Sequence, residues 1–278
     1  MTGNPNLTTP LPYRADYHLH TKWCNHAVGN MRDYVEAAMA RGLTEIGFAA
    51  HMPVTIPIPE KLYLTEEEMA LYADEARRLQ DEYAGRISIL IGGECDFAPG
   101  QEGEIEAAIN AHPFDYLLGA IHFIGAWGHD SPMYKARWET ENVGAVYRRY
   151  YELLAQAARS GYFDIVSHFD LVKKFGYRPA EDIRDAEAAA ADAVADAGLT
   201  IEINTAGRDK PVGEQYPSEG ILRLLRERDV PICFGSDAHA PGEVGRHFAD
   251  ARRLARSVGW ETVARYQARR RFEEPLNL

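Results

Sequence analysis

The sequence predicts an α/β fold in which parallel strands and helices alternate around a barrel. Short apolar runs alternate seven times with longer helix-like segments, the pattern of repeated βα units. No G-x-G-x-x-G follows the first run, so the open doubly wound sheet that cradles dinucleotides is the weaker alternative. The length of 278 residues suits a single barrel, and nothing reads as an interdomain linker, so residues 1–278 are expected to form one domain.

The elements follow in order. The first dozen residues are polar and proline-containing and read as a loose arm. Strands are expected at Ala15–Leu19, Glu45–Ala49, Ser88–Gly93, Tyr116–Ile121, Asp164–Ser167, Leu199–Ile203 and Pro231–Gly235. A helix begins near Met31 and stops at Gly42, a C-terminal glycine signal. Another starts after Thr65, where Thr65-Glu66-Glu67-Glu68 has the form of a capping box. Further helices are expected over Gly103–Asn110, Glu141–Ser160, Ala180–Ala197, Ser218–Arg228 and Glu243–Val258, with a last one from Glu261 to Arg270. The Ala-rich stretch Ala186–Ala197 reads as a surface helix.

Composition narrows the function classes. A net charge of −12 argues against a general nucleic-acid binder, which needs a basic footprint. It leaves a phosphorylated substrate open, because bound cations reverse the local field. Cys24, Cys95 and Cys233 are far apart and odd in number, as expected of reduced thiols in a cytoplasmic protein. No secretory signal is visible, and no stretch approaches the roughly 18 apolar residues that span a membrane.

The chemistry-bearing residues gather at strand ends. His18 and His20 lie in D-Y-H-L-H, with His26 in the following loop. His51 closes F-A-A-H, Glu94 lies in G-G-E-C-D, His122 in G-A-I-H and His168 in I-V-S-H-F-D. Asp237 and His239 lie in F-G-S-D-A-H after the seventh run. The C-terminal strand ends of a βα barrel meet at one face, so these seven histidines and two acids converge on one mouth. Imidazoles bind ions such as zinc and iron, and a carboxylate bridges two ions. In an extended segment, His18-x-His20 directs both rings to one side, and Asp237-x-His239 repeats the device. One H-x-H is weak evidence for a metal, but ligand types at every strand end except the sixth are not explained by chance burial. His112, His129 and His247 are expected to be structural, although His129 lies in the glycine-rich loop at Gly125–Asp130. That loop continues to Glu139 with Trp127, Tyr134 and Trp138, which suit either a lid or packing of the rim.

The order H-x-H, a histidine six residues on, then H, E, H, H and D-x-H resembles the polymerase-and-histidinol-phosphatase (PHP) family, from Asp16 to Arg253. Ser167–Gly176, Glu202–Gly207 and Gly235–Arg246, together with Asp16–Ala27, resemble its histidinol-phosphatase branch. The resemblance implies a distorted seven-stranded (β/α) barrel and three divalent ions, variously zinc, iron or manganese. It places one ion on His18, His20, Glu94 and Asp237. A second shares Glu94 and adds His122 and His168, and a third takes His26, His51 and His239. It implies hydrolysis of L-histidinol phosphate, a step of L-histidine biosynthesis, by a metal-activated hydroxide. His20, Glu94 and Asp237 are then the residues expected to carry catalysis, with Asp237 or a metal-held water protonating the leaving group.

Phosphate calls for cations besides the metals. Arg208, in N-T-A-G-R, is the first candidate and Lys174 the second, with Arg246 behind them. Asp96 and Asp170, each just past a ligand position, are candidates for reading the amine and imidazole of the substrate. Related barrels act on nucleotides or phosphotyrosine, or accompany polymerases without catalysis. An amidohydrolase-type barrel would have eight strands and often a bridging lysine. The sequence leaves the oligomeric state open.

Overall fold

A computed structural model describes residues 14–53 and 62–277, so the expected N-terminal arm lies outside the described residues. Seven parallel strands form one sheet in the order β1 (Ala15–Leu19), β2 (Glu45–His51), β3 (Ser88–Asp96), β4 (Tyr116–Ala120), β7 (Ile165–Val166), β8 (Thr200–Asn204) and β9 (Ile232–Gly235). The short hairpin β5 (Phe123–Ile124) and β6 (Trp127–Gly128) interrupts the numbering. At the upper end, β1 and the residues after β9 meet: Leu19 bridges Ala238, His20 N–H donates to Ala238 O at 2.9 Å, and Ala238 N–H donates to His18 O at 3.2 Å. The sheet is thereby a nearly closed barrel flanked by helices, as the alternation predicts.

The helices are α1 (Met31–Ala40), α2 (Glu66–Glu82), α3 (Glu102–Asn110), α4 (Val143–Arg159), α5 (Arg184–Asp196), α6 (Glu219–Arg226) and α7 (Phe248–Val258). The capping box at α2 is present: Thr65 Oγ1 accepts from Glu68 N–H at 3.1 Å, and Glu68 Oε2 accepts from Thr65 N–H at 2.9 Å. The surface helix expected over the Ala-rich stretch is α5, which buries Ala190, Ala191, Ala193 and Val194 and leaves Asp185, Asp192 and Asp196 exposed. The helix expected from Glu243 starts only at Phe248, because His247 takes a left-handed φ of 58° and the preceding turn serves the site instead.

The expected helix at Glu261–Arg270 is a β-hairpin. Strands β10 (Thr262–Gln267) and β11 (Arg270–Pro275) pair antiparallel, and Ala268 and Arg269 turn between them with φ of 48° and 61°. Ala, Arg and Gln are good helix formers, but tertiary burial outweighs local preference. Ala264 and Tyr266 enter the lower barrel and pack with Tyr17, Tyr116, Leu118 and Ile165. Tyr266 Oη lies 2.7 Å from Thr200 Oγ1, and Arg269 Nε donates to Asp164 Oδ2 at 2.8 Å, just ahead of β7. The hairpin is therefore a floor across the N-terminal strand ends. Tyr116 spans the interior above it, and a Cβ on Gly92 would sit 2.3 Å from its ring, so only glycine fits there.

Candidate metal centre

The register of β1 slips between Asp16 and Leu19. Neighbouring residues consequently serve different layers. Tyr17 packs its ring 5.0 Å from Tyr116 in the floor, while His18 packs 4.9 Å from His20 in the mouth. Asp16 fastens this strand to the far side of the barrel, accepting from Ser236 N–H at 2.9 Å and Gly245 N–H at 2.8 Å.

Glu94, on β3 itself rather than after it, is the hub. Its Oε2 lies 3.3 Å from His18 Nε2, 3.4 Å from His20 Nε2 and 3.3 Å from His51 Nδ1. Its Oε1 lies 2.9 Å from His168 Nε2 and 3.6 Å from His122 Nε2. Asp237 Oδ1 lies 3.4 Å from His20 Nε2 and 3.8 Å from His18 Nε2. Overlapping donor groups result: His18, His20 and Asp237; His20, His51 and Glu94; His51, Asp96 and His122; and Glu94, His122 and His168. His26 and His239 stand beside them, their rings 4.7 Å apart, with His239 stacked on His20 at 4.5 Å. His51 faces Glu94 as well as His26, so the third expected ligand set overlaps the first two rather than standing apart.

The donors suit divalent ions. His18 Nε2 and His51 Nδ1 are buried, are aimed at Glu94 and make no hydrogen bond. Such orphaned nitrogens are rare in a finished core and are the lone pairs a cation takes. Electrostatics agree. Burial pushes His20 down to about 3 and His26 down to about 4, aided in both by His239. Both rings are neutral near pH 7 and ready to ligate. Burial acts the same way on His122, but Asp96 and Glu94 outweigh it and push it up to about 10. Burial likewise opposes ionisation of Glu94, yet the surrounding histidines, His18 first, hold it well below the usual carboxylate range. His168 and Asp237 adopt positive φ of 23° and 49°, uncommon for such residues, at the places where the chain must turn to aim them inward.

Behind the donors stands a second set of partners. His18 Nδ1 meets Glu202 Oε1 at 2.7 Å, and His122 Nδ1 meets Asp96 Oδ1 at 3.0 Å. His20 Nδ1 meets Cys24 Sγ at 3.2 Å, and His239 Nδ1 meets Asp237 O at 3.0 Å. Each fixes the ring that faces the centre. Glu202 lies within E-I-N-T-A-G but has no role in the sequence reading. Its alternation with Ile201 and Ile203 on an inward strand is the signal that could have found it. A Cβ on Gly235 would lie 1.8 Å from Glu202 Oε1 and 2.8 Å from His18 Cβ, so the bare glycine makes room for this pair.

A cavity of about 450 Å3 opens over the centre. Lys174 lines it, as do Asp96, Asp130, Lys210, Tyr63 and Tyr134. Asp96 is committed, bonding His122 and accepting from Tyr63 Oη at 2.8 Å. The structure does not bring Arg208 or Asp170 to the cavity wall. Arg208 turns its guanidinium to Gln215 at 2.9 Å and Asp250 at 3.2 Å. Asp170 is held in a buried pair with Lys173 at 2.8 Å. Arg246 donates to the carbonyls of Ser236 and Asp237, each at 3.1 Å, and so shapes the Asp237 turn. Of the three aromatic residues in the candidate lid, Trp127 and Trp138 are buried against each other and Tyr134 reaches the cavity, alongside Gly128, Asp130, Ser131 and Pro132 of the same loop. His129 is buried with Nε2 2.8 Å from Ile121 O, and His247 pairs with Asp209 on the surface.

The PHP domain family matches residues 16–206, and the PHP-associated family matches residues 220–260. A "Probable histidinol-phosphatase" of Deinococcus radiodurans is 43% identical over 89% of this chain and 95% of its own length. The histidinol-phosphatase of Bacillus subtilis is 28% identical over 84% of this chain and 96% of its own. The crystal structure of the histidinol phosphate phosphatase of Lactococcus lactis, complexed with zinc, L-histidinol and phosphate, superposes with a TM-score of 0.82. It covers 93% of this chain and 98% of that one at 23% identity, a likeness of fold. Matched across most of its length and sharing this barrel, the chain belongs to the PHP family.

Proposed function

We propose that this chain is a histidinol-phosphatase, hydrolysing L-histidinol phosphate to L-histidinol and inorganic phosphate in L-histidine biosynthesis. The observation that carries the chemistry is Glu94 ringed by five imidazoles beneath a cavity that also presents Lys174. The substrate comes from the relatives, of which the Deinococcus protein matches nearly end to end. The donor set fits three divalent ions of the zinc, iron or manganese kind, the zinc in the Lactococcus structure being one instance.

When bound, such ions supply Lewis acidity that eases ionisation of water and offsets charge growing on the phosphoryl oxygens. The chain does the rest. His18, His20, Glu94 and Asp237 hold one side of the centre, His122 and His168 the other, and His26, His51 and His239 its outer rim. Glu202 and Asp96 keep His18 and His122 in the donor orientation. Lys174 Nζ meets the phosphate from the wall. Asp237, more open to the cavity than Glu94, takes a proton from the attacking water and returns it to the leaving alkoxide. Ser167 donates to Gly119 O at 3.0 Å, so no covalent phospho-enzyme is required of it.

Among the described residues, no helix is long and apolar enough to cross a membrane. The three cysteines are buried and unpaired, in keeping with the cytoplasmic location this reading includes.

The test joins metal content to turnover. Purified without chelator, the protein should carry three ions and release phosphate from L-histidinol phosphate at a higher kcat/KM than from nucleotides or phosphotyrosine. Full activity with fewer than about two ions per chain would sink the three-ion account. Wild-type turnover in His20→Ala or Asp237→Ala would sink the site.

A further inference from the structure

Four carboxylates line the cavity: Glu94, Asp96, Asp130 and Asp237. Glu94 and Asp237 face the histidines, and Asp96 is taken by His122 and Tyr63. Asp130 bonds no histidine. Its Oδ2 accepts from Lys174 Nζ at 2.9 Å, and its second oxygen has no partner among the described residues. Each side chain is 18% exposed, so the pair is open to the cavity while largely shielded from bulk water.

The pair is also rigidly placed. Asp130 follows His129, which is pinned on three sides: its N–H donates to His122 O at 3.2 Å, its Nε2 lies 2.8 Å from Ile121 O, and its carbonyl accepts from Trp138 Nε1 at 2.8 Å. Lys174 closes the turn Leu171–Lys173, its N–H donating to Leu171 O at 2.9 Å. One ammonium has three donors, and the Asp130 contact uses one of them.

A carboxylate and an ammonium side by side complement a ligand that carries a cation and an anion on neighbouring atoms. L-Histidinol phosphate is such a ligand, since its ammonium sits on the carbon next to the one bearing the ester oxygen. We propose that Asp130 determines specificity by taking the substrate's ammonium on its free oxygen while the adjacent Lys174 takes a phosphoryl oxygen. The site so formed recognises vicinal amino-alkyl phosphate monoesters as a class, and the imidazole is left to the aromatic wall at Phe123 and Tyr134. This inference rests on the histidinol-phosphatase reading and names the group that reads the amine.

The test compares two esters on metal-loaded enzyme: L-histidinol phosphate and the analogue in which hydrogen replaces its amino group. The wild-type protein prefers the amine-bearing ester by about 10- to 100-fold in kcat/KM, the range of a hydrogen bond between charged groups. Asp130→Asn brings that ratio close to one, and Asp130→Glu retains a preference. A weakened Lys174 slows both esters alike and leaves the ratio in place, so a merely structural effect does not imitate the expected result. An undiminished ratio in Asp130→Asn overturns the inference while leaving the substrate reading intact. A wild-type ratio near one overturns it without any variant, which covers a variant that fails to fold. Absence of turnover on L-histidinol phosphate by the wild-type protein overturns both.

Discussion

Glu202 Oε1 stands 2.7 Å from His18 Nδ1, while its Oε2 accepts the backbone N–H of His168 at 2.9 Å. One carboxylate, fully buried, thus orients two of the donors around Glu94. Glu202→Gln keeps the shape and loses the charge. Metal affinity should fall about 10- to 100-fold, the usual cost of removing such a partner. A chelator-competition titration measures it, and unchanged affinity would remove Glu202 from the centre.

Stripping the ions should abolish phosphate release and lower the melting temperature, because an ion that binds only the folded chain stabilises it by mass action. Readdition of zinc, iron or manganese should restore both. Activity that survives exhaustive dialysis against chelator would count against metal chemistry.

Metal loading should depend on pH with a definite sign. His122 is pushed up to about 10 by Asp96 and Glu94 against the opposing effect of burial, so near pH 7 it holds a proton that an ion must displace. His20 and His26, at about 3 and about 4, have none to lose there. Affinity should climb from about pH 6 to about pH 9, with proton release on binding. Calorimetry in buffers of different ionisation enthalpy reads that release, and binding without it would contradict the assignment.

Lys174→Ala should lower kcat/KM by about 10-fold or more, as expected for a lost charge-assisted contact to phosphate. Arg208→Ala should lower it less, since Arg208 is engaged by Gln215 and Asp250 away from the cavity wall. Steady-state kinetics of the two variants side by side decide it, and the reverse ranking would restore Arg208 as the phosphate clamp.

Tyr266→Ala should destabilise the fold by about 3–5 kcal/mol, the range for deleting a buried aromatic ring. It empties the floor and removes the bonds to Thr200 and the Asp164 carbonyl. Denaturant unfolding monitors the change. A loss under about 1 kcal/mol would mean that the hairpin is dispensable.

The barrel was legible because strand periodicity and glycine punctuation repeat with it, and the histidines were legible because they recur at the same place in each repeat. Other features depend on distant partners. The hairpin at Thr262–Pro275 forms because Ala264 and Tyr266 find Tyr17, nearly the whole chain away, and Tyr116, about half of it away. Arg208 follows a strand as the ligands do, yet Gln215 and Asp250 draw its guanidinium away. Asp130 follows no strand of the barrel at all. It reaches the cavity because His129 anchors the small hairpin at Phe123–Gly128, which apolar periodicity does not reveal.

The floor laid by β10 and β11 has a consequence for traffic. A tube stopped at one end has a single doorway, so ester, water and both products must share it. If the phosphoryl group lies against the histidines, as the proposed reading has it, the alcohol lies nearer the opening. The alcohol would then depart first, and phosphate, the last guest to leave, would compete with the next ester for the same berth.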